Sequence, residues 1–130
     1  MIVVDASILV PALADDGGDG HRCRARLATE ELVAPELLDI EVCSVVRRLR
    51  QRGLVTAPRA SSAIRDLAAT PIRRVAHRQL IRRVWNLRDN LSAYDASYVA
   101  VAEIFGLLLV TSDAGLARAP GPRCTIELVT

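Results

Sequence analysis

The stretch from Ser92 to Asp113, SAYDASYVAVAEIFGLLLVTSD, is the most informative part of the sequence for predicting the fold. Ser92 can cap a helix, and Asp95 three residues later has the spacing of a capping box. Gly106 suits the position just past a helix end, where a left-handed backbone is common. The apolar run Leu107–Val110 predicts a strand that is buried on both faces. One acid therefore opens a helix, and another follows the carboxyl end of the next strand, where ligands bind in open parallel sheets.

The remainder of the chain alternates between short apolar runs and amphipathic segments. Strands are predicted at residues 2–5, 32–35, 71–75 and 125–129, and helices at 6–13, 21–31, 36–52, 56–69, 76–87 and 114–119. The segment 15–20, rich in glycine and aspartate, is predicted to be a loop, and the partly polar strand 71–75 to lie near the sheet edge. The pattern indicates an α/β protein, one three-layer α/β/α domain over residues 1–130 with a central, mostly parallel sheet. It leaves the strand order open.

Composition restricts the class of protein. With 51% hydrophobic residues the chain is not disordered, and its first residues lack the features of a signal peptide. The apolar stretch 99–110 is too short to span a bilayer and contains Glu103, so we expect a soluble, cytoplasmic protein. Cys23, Cys43 and Cys124 are odd in number and far apart, which favours reduced thiols over a disulfide framework or a zinc site.

The charged residues are unusual in type. All 17 basic residues are arginines, and the net charge is only +2. If four of the 15 acids share one site, the other 11 leave a balance of +6 elsewhere, an acidic centre on a basic body. Four arginines close the helix predicted at 36–52, where they could bind RNA phosphates or simply complement the helix dipole in water. They are Arg47, Arg48, Arg50 and Arg52.

Four acids lie at strand ends or beside apolar helix faces: Asp5, Glu41, Asp95 and Asp113. Each has an ordinary explanation alone, as a turn residue, a surface acid or a helix cap. Together the four acids indicate a metal site, because two carboxylates about 4 Å apart repel by about 4 kcal/mol at an effective dielectric near 20. A divalent cation removes that cost and can activate a water for attack on a phosphodiester. No histidine is placed to act as the base, so Asp95 or Asp113 is expected to orient that water.

Four segments along nearly the whole chain carry a resemblance to a known family. They are IVVDAS at 2–7, Glu41 in the third helix, LSAYDA at 91–96 followed by YVA at 98–100, and VTSD at 110–113. In this order they are similar to the PIN-domain nucleases, and specifically to the VapC-type toxins of toxin–antitoxin pairs. The segment containing Asp95 is the most specific of the four.

The resemblance implies a PIN fold and a toxin of a type II toxin–antitoxin system that cleaves RNA. It also implies a Mg²⁺ or Mn²⁺ site made by the four acids, with Ser7 and Thr111 as accompanying hydroxyl residues. A cognate VapB-type antitoxin is expected near the acidic pocket, where it inserts an arginine, and the protein is expected to form a homodimer. Trp85 is expected in the core or at the dimer contact. Ala114 and Gly115 stand where some relatives carry a further acid, so a second metal is expected to be loosely held or to need RNA oxygens.

Other readings fit less well. A response-regulator receiver and a haloacid-dehalogenase-type phosphotransferase also place an aspartate after the first strand, but both use a lysine, and this chain has none. The second of these families also needs an aspartate where this chain has Ser7, and no P-loop occurs. The remaining alternative is a catalytically silent PIN-like module that binds RNA or a protein. The presence of all four acids argues against it.

Overall fold

A five-stranded, wholly parallel sheet forms the centre of the computed structural model, which describes residues 1–130. Its strand order is β3-β2-β1-β4-β5. The strands are β1 (Ile2–Val4), β2 (Leu32–Pro35), β3 (Ile72–Val75), β4 (Leu108–Thr111) and β5 (Ile126–Leu128). The partly polar β3 is an edge strand, as the sequence predicts.

Every residue of β1 and β2 is buried, because helices cover both faces of this sheet. One long helix, α6, packs across β1, β2 and β4, whereas α1 packs with α2, α3 and α4. The predicted α/β class with a parallel sheet is confirmed. None of the helices combines the length and apolar character that crossing a membrane requires. The helices are α1 (Ala6–Ala14), α2 (Gly18–Leu27), α3 (Leu37–Gln51), α4 (Ala57–Ala69), α5 (Ile81–Asn86, after a 3₁₀ turn at His77–Leu80), α6 (Ala93–Phe105) and α7 (Ala114–Arg118).

The start of α2 corrects the loop predicted at 15–20, since the helix already begins at Gly18. The Asp15 carboxylate accepts hydrogen bonds from the backbone N–H of Gly17 at 3.0 Å and of Gly20 at 2.9 Å. These bonds satisfy amide groups that a helix start leaves unpaired. A Cβ at position 20 would lie 1.9 Å from the Asp15 carbonyl oxygen, so the close approach requires glycine there.

The helical spacing of Leu38, Val42, Val45 and Leu49 predicts one apolar stripe along α3, and the structure buries only part of it. Leu38, Val42 and Val46 are buried in the core. Val45 and Leu49, which the helical spacing also assigns to the apolar face, are only half-buried. They form part of the wall of a surface cleft instead.

One apolar region is left uncovered beside α5 and α6. Trp85, predicted for the core or a dimer contact, is 65% exposed and therefore not a core residue. Ile81 and Tyr94 are similarly exposed, and the three side chains line one groove of about 310 Å³.

The strand order explains where a site can form. β1 lies between β2 and β4, so the chain leaves β1 toward one edge of the sheet and later returns to its other side. Such a reversal opens a crevice at the carboxyl ends of the strands. Val4 pairs with Val110, and the residues that follow them, Asp5 and Thr111, are therefore neighbours at this crevice.

Candidate active site

A cleft of about 380 Å³ opens where the strand order reverses. All four acids singled out in the sequence line it. Its other polar side chains are those of Ser7 and Tyr98, and the rest of the wall is apolar. No arginine or histidine is among the lining residues, which are Asp5, Ala6, Ser7, Val10, Pro11, Glu41, Val45, Leu49, Asp95, Tyr98 and Asp113.

Asp5 is the buried centre of the cleft, with only 6% of its surface exposed. Its Oδ1 accepts a hydrogen bond from the Ser7 hydroxyl and its Oδ2 accepts one from the Thr111 hydroxyl, both at 2.5 Å. The Ser7 Oγ accepts a bond from the Ser112 N–H at 2.8 Å, and the Thr111 Oγ1 accepts one from the Asp113 N–H at 3.0 Å. This network joins the ends of β1 and β4 and fixes the orientation of the Asp5 carboxylate.

Burial, with a smaller contribution from the charge of Asp95, raises the pKa of Asp5 to about 6 and outweighs the hydrogen bonds from Ser7 and Thr111. The pKa of Glu41 is raised first by burial and also by the charge of Asp95. The pKa of Asp95 is raised by burial and by the charge of Asp113. The ionised carboxylates therefore disfavour one another, and a cation in the cleft would stabilise all of them.

Asp95 and Asp113 each stand at the start of a helix. The Ser92 Oγ accepts a hydrogen bond from the Asp95 N–H at 3.1 Å, which confirms the predicted cap of α6. Asp113 caps α7, because its Oδ1 accepts bonds from the N–H groups of Gly115 at 2.8 Å and Leu116 at 3.3 Å. The ordinary explanation for Asp113 alone is a turn after a strand; the structure makes it a helix cap, and the same carboxylate also lines the cleft.

Glu41 projects from α3 into the cleft, where the Tyr98 hydroxyl donates a hydrogen bond of 2.6 Å to its Oε1. Tyr98 is 1% exposed. Burial and the bond to Glu41 raise the pKa of the Tyr98 phenol, so it stays protonated and remains a donor. Sequence reasoning did not identify Tyr98 as a site residue. The available signal was its position three residues after Asp95, which places both on one face of α6.

The acids do not form a ready-made metal cage. No three of the histidine, cysteine, aspartate and glutamate side chains come close enough together to hold a metal ion by themselves. The donor set nevertheless suits Mg²⁺ or Mn²⁺, because it consists of carboxylate and hydroxyl oxygens and lacks any competing basic group. Magnesium keeps several waters in proteins and is usually held by one or two carboxylates together with substrate phosphates.

The four arginines predicted to bind RNA are exposed on the second half of α3. None of them lines the cleft, and none forms an ion pair with an acid. Val45 and Leu49 of the same helix do line the cleft, so the arginines lie next to its wall. Their contact with RNA stays a prediction.

The PIN domain family model matches residues 2–122. The chain belongs to the PIN-domain family. It is 41% identical over 129 residues to Ribonuclease VapC9 of Mycobacterium tuberculosis, an alignment that covers 99% of this chain and 98% of that protein. At this identity and coverage the chain is a member of the VapC ribonucleases, and the family predicted from its sequence is confirmed.

Solved structures have the same fold at lower identity. VapC20 of Mycobacterium tuberculosis, described as a toxin that cleaves the sarcin-ricin loop, superimposes with a TM-score of 0.70 at 17% identity, over 89% of this chain and 92% of that one. VapBC2 of Rickettsia felis, solved with a fragment of promoter DNA, gives a TM-score of 0.69 at 15% identity over 98% of both chains. These two similarities support the fold of the PIN-domain chain.

Proposed function

We propose that this VapC-family protein is the toxin of a type II toxin–antitoxin pair and hydrolyses RNA phosphodiester bonds with a divalent cation. The observation that carries the proposal is the convergence of four carboxylates on one cleft without any basic side chain in its lining. Membership of the VapC ribonucleases supports RNA as the substrate. The distant VapBC2 similarity supports the fold only, so the antitoxin partner is proposed from the family.

The acids proposed to hold Mg²⁺ or Mn²⁺ are Asp5, Glu41, Asp95 and Asp113. A bound cation would neutralise the cleft and supply a more acidic water. Ser7 and Thr111 keep the Asp5 carboxylate from rotating, because each of its oxygens already accepts a hydrogen bond from one hydroxyl. Asp95 or Asp113 then orients the attacking water and takes its proton, since no histidine lines the cleft.

RNA is proposed to reach the cleft along the exposed arginines of α3. Guanidinium groups bind phosphates through two parallel hydrogen bonds, and these arginines have no acidic partner to release first. Because they cluster at the end of one helix, we expect them to bind the phosphates of the RNA backbone without regard to its base sequence. The four residues are Arg47, Arg48, Arg50 and Arg52.

Two protein partners are proposed. A VapB-type antitoxin would cover the cleft and present an arginine to it, because the four carboxylates lack a cation of their own. A second copy of the chain would cover the groove that Ile81, Trp85 and Tyr94 line, since a homodimer would bury these exposed apolar side chains. We propose that the pair acts in the cytoplasm, which suits the three free cysteines.

Thermal unfolding with and without Mn²⁺ or Mg²⁺, followed by RNA cleavage assays, tests the proposal. A ligand that binds only the folded state adds about 2.7 kcal/mol of stability at a hundredfold excess over its dissociation constant. We expect this stabilisation in the wild type and in Asp89→Asn, an exposed acid outside the cleft, but not in Asp95→Asn. Cleavage should be lost in the same variant. A wild type that neither responds to the cations nor cleaves RNA would favour the silent binding module.

A further inference from the structure

Tyr98 is a polar residue of the cleft that the proposed function does not use. Its ring extends from α6 into the protein core, but its hydroxyl reaches the cleft and donates a hydrogen bond to Glu41. A phenylalanine would satisfy the packing equally well. The hydroxyl is therefore the part of this side chain whose role needs a separate account.

Glu41 depends on this contact. It belongs to α3 and is separated from Tyr98 by 57 positions in the sequence. The Tyr98 hydroxyl is the one hydrogen-bond donor to its carboxylate, and no arginine pairs with it. A glutamate has three rotatable side-chain bonds, and a half-buried one that is repelled by Asp95 would otherwise turn toward water.

Asp5 and Glu41 thus have the same kind of support. Two hydroxyls fix Asp5, and one phenol holds Glu41 by its Oε1, while Oε2 accepts no hydrogen bond from the protein. Helix α6 supplies Asp95 to the cleft and, one turn later on the same face, the tyrosine that positions an acid of α3.

We infer that Tyr98 is a positioning residue that holds the Glu41 carboxylate in the cleft as a cation ligand, an inference that rests on the proposed function. Hydrogen bonds that orient a ligand change metal affinity or activity by about 10- to 100-fold when they are removed. The Tyr98→Phe substitution removes the hydroxyl alone. It should raise the Mn²⁺ concentration needed for half-maximal stabilisation by a factor in that range.

The experiment is a cycle of four proteins: wild type, Tyr98→Phe, Glu41→Ala and the double variant. The first readout is the Mn²⁺ dependence of thermal unfolding. Tyr98→Phe should weaken Mn²⁺ binding in the wild-type background and have no further effect when Glu41 is already alanine. Ser61→Ala, which removes one exposed hydroxyl of α4 outside the cleft and the groove, is the matched control and should bind Mn²⁺ like the wild type.

The second readout is unfolding by urea without metal. Here Tyr98→Phe should stabilise the Glu41→Ala protein, because it removes a buried hydroxyl that has lost its acceptor, and it should not stabilise the wild type. The third is RNA cleavage, where excess Mn²⁺ should restore the rate of Tyr98→Phe but not that of Glu41→Ala.

The outcomes separate this inference from the proposed function. Equal effects of Tyr98→Phe on Mn²⁺ binding in both backgrounds, or wild-type Mn²⁺ binding by the variant, would overturn the role of Tyr98 while the nuclease proposal stands. Absence of any Mn²⁺ response or cleavage in the wild type would overturn both. A coupled loss of Mn²⁺ affinity that excess metal rescues would support the inference.

Discussion

Replacing Asp5 by asparagine is expected to stabilise the metal-free protein above neutral pH. The pKa of Asp5 is about 6 in the folded protein, against 3.8 for the ordinary group. Because the folded state binds this proton more tightly than the unfolded state does, Asp5 lowers stability as the pH rises from about 4 to about 6. At 1.36 kcal/mol per pKa unit, the full cost above pH 6 is about 3 kcal/mol.

Asparagine is a suitable probe because it resembles the protonated carboxyl, offering one acceptor and one donor to the hydroxyls of Ser7 and Thr111. We expect the free energy of unfolding of Asp5→Asn to exceed that of the wild type by about 2–3 kcal/mol at pH 8 in EDTA. For a domain of this size that corresponds to about 8–12 °C in Tm. The difference should shrink as the pH falls through 6 and approach zero only below the ordinary pKa of 3.8, where the wild-type carboxyl is protonated in both states.

The assay is urea unfolding of both proteins at several pH values between 4 and 8, with Asp66→Asn on the exposed face of α4 as the matched control. Saturating Mn²⁺ at pH 8 should narrow or reverse the difference, since only the wild type has the full set of cleft carboxylates. A difference in unfolding free energy that does not depend on pH would refute the electrostatic argument. An Asp5→Asn protein that is less stable than the wild type at pH 8 would also refute it.

Three further predictions concern other parts of the chain. Thr111→Val removes a hydrogen bond that lowers the pKa of Asp5, so the acidic limb of the pH–rate profile of RNA cleavage should move to higher pH. Gly20→Ala should cost about 2 kcal/mol or more in urea unfolding, since its Cβ would collide with a backbone oxygen, whereas Gly18→Ala meets no such contact and should be tolerated. Arg48→Ala should weaken RNA binding and reduce the slope of log affinity against log salt by about 0.7 for each lost phosphate contact, a change that Arg65→Ala on α4 should not produce.

Local sequence signals predicted three of the four cleft acids well. Asp5 and Asp113 follow apolar strands, and Asp95 stands beside the cap of a helix, so short-range rules place them at the ends of elements. The carboxyl ends of parallel strands meet at one edge of a sheet, so the sequence alone predicts that these acids converge. Glu41 lies inside a helix, where its position beside an apolar face fits a surface acid equally well, and the family resemblance decided between the two explanations.

What the sequence could not provide depends on long-range packing. An apolar helix that contains Tyr98 is typical of core packing, and only the fold reveals that its hydroxyl reaches an acid on another helix. The strand order follows from crossover directions that periodicity does not encode. The glycine-rich composition of residues 17–20 predicted a loop. The helix starts there because the Asp15 side chain accepts hydrogen bonds from the backbone N–H groups of Gly17 and Gly20.

The acids of the cleft also show how the fold tolerates a cluster of like charges. Asp113 caps α7 and Asp95 lies in the first turn of α6, where the positive end of a helix dipole partly offsets a negative charge. Asp5 is the N-cap residue of α1 and lies at the same positive end, but it is buried, and its carboxylate also accepts bonds from two neutral hydroxyls. Glu41 lies within α3 and has the Tyr98 hydroxyl alone. Burial still disfavours the charge of Asp5, and Glu41 has no helix start beside it, so a cation in the cleft is the partner that would stabilise both.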